Sequence, residues 1–216
     1  MTVAANPAPD WAERTEQAVL DEALPLSVHL GWTRPMVLAA ARKAGLTAGE
    51  ADLLLPQGAR DLAALLSRRH DAAALAALPD PAGLKIRQRI RAAVEARLEA
   101  ASADREALRR WAGFLSLPLN LPLALRLVWE SADGLWRWAG DTATDENHYS
   151  KRAILSAILV TTTAIDLASG REAALAYLDA RIQNVMDFEK WKAGVRPADL
   201  AREIAGALAA IRYGRA

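Results

Sequence analysis

Apolar residues recur at helical spacing along most of the chain, in segments separated by glycine and proline. Between residues 12 and 57 this pattern predicts three short helices. The first spans 12–30 and ends at Gly31, the second begins after Thr33, and the third begins after Thr47, with Glu50 at the spacing of a capping box. This alternation of caps, helical stripes and breakers predicts an all-α fold.

Longer helical segments follow, and the apolar residues of the fourth one lie on all its sides, which predicts a helix buried nearly all round. The last two segments are predicted core helices. The six segments are 59–77, 83–101, 104–117, 119–139, 150–169 and 171–193. After Gly194, a final amphipathic helix is predicted over 197–213, with its narrow apolar face formed by Leu200, Ile204, Leu208 and Ile211.

Four regions are therefore expected along the chain. The first 11 residues should be disordered, 12–57 should form a subdomain with the look of a helix-turn-helix, 58–193 a helical bundle, and 197–213 the amphipathic C-terminal helix. No stretch is apolar enough to predict a membrane-spanning helix, since Ser156 and Asp166 interrupt the best candidate.

Composition excludes several kinds of site. The 216 residues include no cysteine, which excludes disulfides, thiolate zinc sites and cysteine nucleophiles. The three histidines lie far apart, and no Glu-x-x-His motif of a di-iron bundle occurs. We therefore expect no metal site. A Ser-His-Asp arrangement could still form in space, but no Gly-x-Ser-x-Gly turn occurs, so we expect no catalytic residues and predict that the protein is not an enzyme.

Three short helices before a helical bundle resemble the plan of the TetR transcription factors. The third helix, however, carries Glu50 and Asp52 and has no lysine or arginine. Carboxylates at that position repel DNA phosphates, and the 27 basic and 26 acidic residues give no overall positive field. We expect no nucleic-acid partner, and a ligand-responsive TetR-type repressor is the alternative function.

The most specific motif reads Asp-Gly-Leu-Trp at 133–136 and Ala-Gly-Asp-Thr-Ala-Thr-Asp-Glu-Asn-His-Tyr-Ser-Lys-Arg at 139–152. It resembles the central motif of the ubiquinone-biosynthesis accessory proteins, the family of the ninth gene product of the coenzyme Q pathway. Further segments similar to that family are 29–33, 84–87, 117–122 and 177–182. The resemblance extends over residues 12–193.

This resemblance implies a TetR-like fold without DNA binding, which holds a prenyl lipid or quinone intermediate and presents it to a di-iron demethoxyubiquinone-type hydroxylase. It implies a homodimer with no cofactor besides the bound lipid. Residues expected to line a lipid cavity are Leu115, Leu121, Leu125, Trp129, Leu155, Ile158, Leu159 and Thr162. Residues expected on the partner surface are Trp136, Gly140, Asp141, Asp145, His148, Tyr149 and Arg152.

Two features leave alternatives open. The family has tryptophan where this chain has His148. Without the resemblance, a helix cap would be the favoured interpretation of the segment around Asp145. The C-terminal apolar face could lie in a membrane interface or dock on protein. Since residues 1–10 lack the pattern of a signal or presequence, we expect a bacterial protein that is cytoplasmic and peripherally associated with the inner face of the membrane.

Overall fold

The computed structural model describes residues 11–142 and 146–194, and at residues 146, 147 and 188–194 it describes the backbone alone. Within those residues, all regular structure is helical, in nine α-helices and two single-turn 3-10 helices. The predicted all-α class is confirmed, and the order of the elements agrees with the expected TetR-like plan. Residues 1–10 and the predicted C-terminal helix, 197–213, lie outside the described residues.

The three N-terminal helices form as predicted, with their predicted caps. The Thr33 hydroxyl accepts from the backbone N–H of Met36, and the Thr47–Glu50 capping box is complete in both directions. Gly31 ends the first helix at φ +65°, a conformation that favours glycine. The helices are α1 (Trp11–Leu30), α2 (Arg34–Lys43) and α3 (Ala48–Leu54).

The remaining helices match the predicted segments, with small shifts at their ends. Prolines at 81 and 118 open the two 3-10 turns, Pro81–Gly83 and Pro118–Asn120, so the neighbouring helices begin later than the apolar pattern suggests. The helices are α4 (Ala59–Ala77), α5 (Ile86–Ser102), α6 (Arg105–Leu115), α7 (Leu121–Trp138), α8 (Glu146–Ser169) and α9 (Arg171–Gly194).

One apolar core joins the N-terminal helices to the bundle. Leu20, Met36, Leu66, Leu115 and Leu127 belong to it, and they come from α1, α2, α4, α6 and α7 respectively. Helices α1 to α3 are therefore packed on the bundle. The chain divides into two compact units after residue 175, and the core, the central motif and α8 all belong to the first unit.

Helix α7 is less buried than its sequence predicts. Its buried residues are Leu127, Ser131, Ala132 and Leu135, on the side that packs against α4 and α8. Leu125, in the first turns of the helix, is 60% exposed although it lies on the same side as buried Ala132, seven residues later. The prediction of burial nearly all round is wrong, because apolar residues on every side of a helix do not require a neighbour on every side.

Helix α8 differs from the expectation that no segment is long and apolar enough to span a membrane. Its residues 148–169 meet that criterion by length and composition, and α6 with residues 118–138 would do so as one span bent by 93°. Core helices of bundles meet the same criterion. Since α8 packs along α7 and its buried face contains the ion-paired Arg152 and Asp166, we describe it as a bundle helix.

Candidate functional site

The central motif spans the end of α7, residues 139–142 after it and the start of α8. After Trp136 the chain closes α7 with two hydrogen bonds, from the N–H of Gly140 to the carbonyl of Arg137 and from the N–H of Asp141 to the carbonyl of Trp136, both at 3.0 Å. This is a Schellman C-cap, and Gly140 at φ +88° provides its left-handed residue.

The turn is also fixed from outside by α5. The guanidinium of Arg89 donates from Nη1 to the carbonyl of Ala139 at 2.6 Å and from Nε to the carbonyl of Leu84 at 2.8 Å. A Cβ at Gly140 would lie 3.1 Å from Arg89 Nη1, which is closer than ordinary contact. Glycine at this position therefore meets both the backbone and the space requirements.

A buried ion network joins the turn to the first turns of α8. Arg152 Nη1 lies 2.9 Å from Asp141 Oδ2, and Arg152 Nε lies 2.6 Å from Asp133 Oδ1 on α7. Lys151 Nζ binds the second oxygen of Asp141 at 2.6 Å. The side chains of Arg152 and Asp141 are only 2% and 5% exposed, so this cluster is part of the interior.

The network keeps Asp141 and Arg152 charged. Burial alone would raise the pKa of Asp141, but the hydrogen bonds and charges of Lys151 and Arg152 outweigh burial and bring that pKa below its ordinary value. Burial likewise opposes the charge of Arg152, yet its hydrogen bonds to Asp133 and Asp141 raise the pKa of Arg152. The cluster is thus a satisfied ion network at neutral pH.

Aromatic side chains lie on the solvent-exposed side of the helices that carry this network. Tyr149 is 65% exposed, and its ring packs 6.2 Å from the ring of Trp129 and edge-on to His148 at 5.2 Å. We call Trp129, His148 and Tyr149 the aromatic surface. Beside it, half-buried Trp136 donates from Nε1 to the carbonyl of Lys151 at 3.0 Å, and Lys151 Nζ lies 5.5 Å from its ring centre.

The structure divides the predicted partner residues into two groups. Tyr149 is exposed as expected, whereas Arg152 is buried, so the expectation that both lie on one exposed face is wrong. Three residues rotate a helix by about 300°, and on α8 the resulting offset of about 60° takes Arg152 beneath the surface, where Asp133 and Asp141 pair with it. Asp141 is buried as well, and Asp145 lies outside the described residues.

The predicted lipid residues fall into four places. Leu155, Ile158, Leu159 and Thr162 form a buried stripe on α8, and Leu115 is buried in the core shared with the N-terminal helices. Trp129 belongs to the aromatic surface. Leu121 and Leu125, 49% and 60% exposed, do not lie in a closed cavity, whereas Leu123 and Ala124 of the same turns pack against the core. The structure thus does not gather the eight residues around one space.

The stripe on α8 has features that sequence reasoning missed. It ends at buried Asp166, which pairs with Arg105 at 3.1 Å and with Arg171 at 3.0 Å. Inside the stripe, the Thr162 hydroxyl is fully buried without a hydrogen-bond partner. The signal was available, because Arg152, Leu155, Leu159, Thr162 and Asp166 follow the helical period, which predicts two buried charges that need partners.

Other candidate sites in the described part of the chain add little. A groove of about 530 Å³ lies between α1 and α4, lined by charged residues that include Glu13, Asp21 and Arg69, and by none of the predicted lipid residues. Among the residues with described side chains, no group of three or more potential metal ligands occurs. The predicted membrane-contact residues Leu200, Ile204, Leu208 and Ile211 lie outside the described ranges.

Comparison with known proteins converges on this part of the chain. Residues 121–189, which contain α7, the motif turn and α8, match the protein-family model COQ9. The chain is 28% identical to the mitochondrial ubiquinone biosynthesis protein COQ9 of Rattus norvegicus over 186 residues, covering 81% of this chain and 60% of that protein. The human protein matches at 28% identity, covering 81% and 58% of the two chains.

A third relative, ubiquinone biosynthesis protein COQ9-A of Xenopus laevis, is 28% identical over 188 residues, covering 81% of this chain and 58% of that protein. The chain therefore spans about three fifths of the length of these relatives. The family-model match covers the whole turn with its Schellman cap, its buried ion network and its exposed tyrosine. The chain is therefore similar to COQ9 proteins over 81% of its length, and residues 121–189 match the COQ9 family model.

Proposed function

We propose that the protein is a non-enzymatic accessory protein of ubiquinone biosynthesis. It binds a prenyl-quinone intermediate and presents it to a di-iron hydroxylase of the demethoxyubiquinone type. Its relatives are named for ubiquinone biosynthesis, which supports the pathway. The observation that carries the proposal is the exposed Tyr149, held by a buried ion network within the matched family domain.

The aromatic surface has the properties of a protein-binding site. Tyrosine and tryptophan are enriched among the residues that dominate binding energy, because they bury a large area at little cost in side-chain entropy. Tyr149 and Trp129 already contact one another, so little ordering remains when a partner binds. The Arg152–Asp141 pair holds the helix turn that presents Tyr149.

The lipid part of the proposal is supported by the buried stripe on α8. Leu155, Ile158 and Leu159 provide an apolar wall, and the unpartnered hydroxyl of Thr162 can hydrogen-bond a quinone or phenol oxygen. Each buried methylene contributes about 0.8 kcal/mol, so about ten prenyl carbons contribute roughly 8 kcal/mol before the costs of association. A lipid of that size can bind with useful affinity.

Location and assembly belong to the same proposal. A prenyl-quinone precursor is dissolved in the bilayer, so its carrier acts at the inner face of the bacterial membrane as a peripheral protein and homodimer. The apolar face Leu200, Ile204, Leu208 and Ile211 is the proposed C-terminal membrane contact.

The alternative function, a ligand-responsive repressor, has less support. Exposed Glu50 holds the cap of α3, and the hydrogen bonds from Thr47 lower the pKa of that carboxyl, which keeps it charged. Asp52, also exposed, pairs with Arg34 at 3.0 Å, which neutralises the charge of that cation. A surface of this charge disfavours contact with DNA phosphates.

Native mass spectrometry of the purified chain tests the lipid proposal. We expect a copurified prenyl lipid that is lost in Ile158→Trp, which fills the buried stripe, and is retained in Ile154→Trp, whose site is 41% exposed on the same helix. Circular dichroism checks that both variants fold. Absence of any lipid from the wild-type chain, or equal retention in the two folded variants, would contradict it.

A further inference from the structure

Four leucines project from the bundle where α6 ends and α7 begins. Leu117, Leu119, Leu121 and Leu125 are 52%, 80%, 49% and 60% exposed, and we call them the leucine surface. Single exposed leucines are common, but four within nine positions of one turn and helix form a concentrated apolar area.

The leucines are exposed because the polar residue of the same turn points inward. Asn120 is 4% exposed, accepts from Arg60 Nε at 2.8 Å and donates to the carbonyl of Phe114 at 2.9 Å. Arg60 also donates to the carbonyl of Leu119 at 2.9 Å. The fold thus fixes the turn with its asparagine buried and its leucines outside, which is the reverse of the usual distribution.

The chain segment that carries the leucine surface has charged residues of one sign. From residue 107 to residue 129 the chain contains three arginines, Arg109, Arg110 and Arg126, and no acidic residue. Arg110 and Arg126 are exposed. The next acidic residue on α7, Glu130, lies 3.6 Å from both Arg68 and Arg126.

We propose that the leucine surface inserts into the interface of an anionic membrane, with Arg110 and Arg126 at the level of the lipid phosphates. The proposal deepens the proposed function by naming a membrane contact that is separate from the C-terminal helix. Leucines flanked by arginine are the combination that interfacial segments use, and they enter about 5–10 Å into the headgroup and acyl boundary.

A membrane fits these residues better than a protein partner does. Leucine is under-represented among the residues that dominate protein interfaces, and the leucine surface contains no tyrosine or tryptophan. A bilayer needs no matching shape, only apolar side chains on a fixed support and cations that attract anionic headgroups. The turn that Asn120 and Arg60 hold in place provides the support, and the segment 107–129 provides the cations.

The absence of cysteine makes a direct test possible in the full chain. Leu119→Cys, labelled with an environment-sensitive fluorophore, is titrated with vesicles of phosphatidylethanolamine and phosphatidylglycerol. We expect a blue shift, and quenching by brominated lipid. The matched control is Leu53→Cys on α3, which is 85% exposed beside the acidic Asp52 and is expected to show neither change.

The variant Leu117→Ser/Leu119→Ser/Leu121→Ser tests the contribution to binding. All three sites are exposed, so we expect an unchanged melting temperature. We expect the vesicle partition coefficient to fall by about tenfold or more. Leu53→Ser should leave partitioning unchanged. Binding to vesicles of phosphatidylcholine alone should be weaker than to the anionic vesicles, and equal binding would contradict the role of the arginines.

Three results would overturn the inference. The first is a label at position 119 whose emission stays unshifted while the chain is bound to vesicles. The second is a triple variant that partitions as strongly as the wild-type chain. The third is a label already shielded without vesicles, which would mean that a second copy covers the surface. Copurified prenyl lipid is measured on the same variant. If the triple variant retains the lipid but no longer binds vesicles, the result supports this membrane contact. If the wild-type chain carries no lipid, the result contradicts the proposed function.

Discussion

Arg152 and Asp141 form a 2.9 Å ion pair across the turn from α7 to α8, with both side chains almost fully buried. The pair closes the segment that the sequence motif spans and leaves Tyr149, three residues before Arg152, exposed. The charged residues of the motif therefore act inside the fold, and the aromatic ones act at its surface.

Removing the cation of this pair should be costly. Arg152→Met removes the partner that Asp141 and Asp133 share, although Lys151 and Arg137 still pair with the two carboxylates, so we expect the free energy of unfolding to fall by about 1–3 kcal/mol. The control is Arg34→Met, which breaks an exposed pair with Asp52 and should change it by less than about 1 kcal/mol. Urea unfolding measures both, and similar losses would show that the buried network has no special role.

Gly140 should be intolerant of a side chain. Gly140→Ala places a Cβ in a left-handed conformation and close to Arg89, so we expect about 1–2 kcal/mol of destabilisation. Gly113→Ala is the matched control, because Gly113 lies exposed in α6 with open space around it, and alanine there should be neutral or stabilising by up to about 1 kcal/mol. Thermal melting that ranks the two variants in the opposite order would refute this assignment.

Arg60 and Asn120, which hold the turn before α7 in place, should be energetically coupled. Asn120→Ala leaves the Arg60 guanidinium and the Phe114 carbonyl short of a partner, at a cost of about 1–3 kcal/mol. Arg60→Met should cost a similar amount. Since both variants break the same contact, the double variant should be less destabilised than the two losses added together, and strict additivity would argue against the contact.

His70 should make stability depend on pH. The side chain is buried, with Nε2 at 2.9 Å from Asp104 and Nδ1 unpartnered. Burial, and next the charge of Arg97, lower the pKa of His70, so the unfolded chain takes up a proton more readily than the folded one. The contribution of His70 is complete above its unfolded pKa of about 6.5 and is lost as the pH falls below that value.

The measurement for His70 is the slope of unfolding free energy against pH between about 7.5 and 5.5. We expect the wild-type chain to lose stability across this window and His70→Gln to have a flatter slope, whatever its absolute stability. An unchanged slope would assign the pH dependence to other groups. His29→Gln is the control, because that side chain is exposed at the end of α1.

The helices could be predicted because local signals define them. Thr33, Thr47 and Gly31 are caps whose chemistry acts over a few residues, so sequence alone located α1 to α3. Burial was harder to predict. Leu125 looks like a core residue by type, yet it is exposed, because burial depends on which helix lies opposite, and that follows from tertiary packing.

The sequence identified the residues of the candidate site, but it predicted correctly only for some of them whether they are exposed or buried. Tyr149 was correctly placed at the surface, but Arg152 was assigned there too, since its partner Asp133 lies 19 residues earlier on another helix. Pairing across helices is invisible to spacing rules, which report only neighbours on one helix. A buried charge in phase with an apolar stripe is the sequence signal for such a pair.

The most direct test of the account is capture of the demethoxyubiquinone-type di-iron hydroxylase of the same organism by the purified full chain. Tyr149→Ala should bind the hydroxylase about tenfold more weakly or worse, with an unchanged melting temperature, because an exposed anchor is lost and the buried network is untouched. Trp11→Ala, which removes an aromatic side chain 62% exposed at the start of α1, should bind as the wild-type chain does. Undiminished capture by Tyr149→Ala, or an equal loss in Trp11→Ala, would contradict the account.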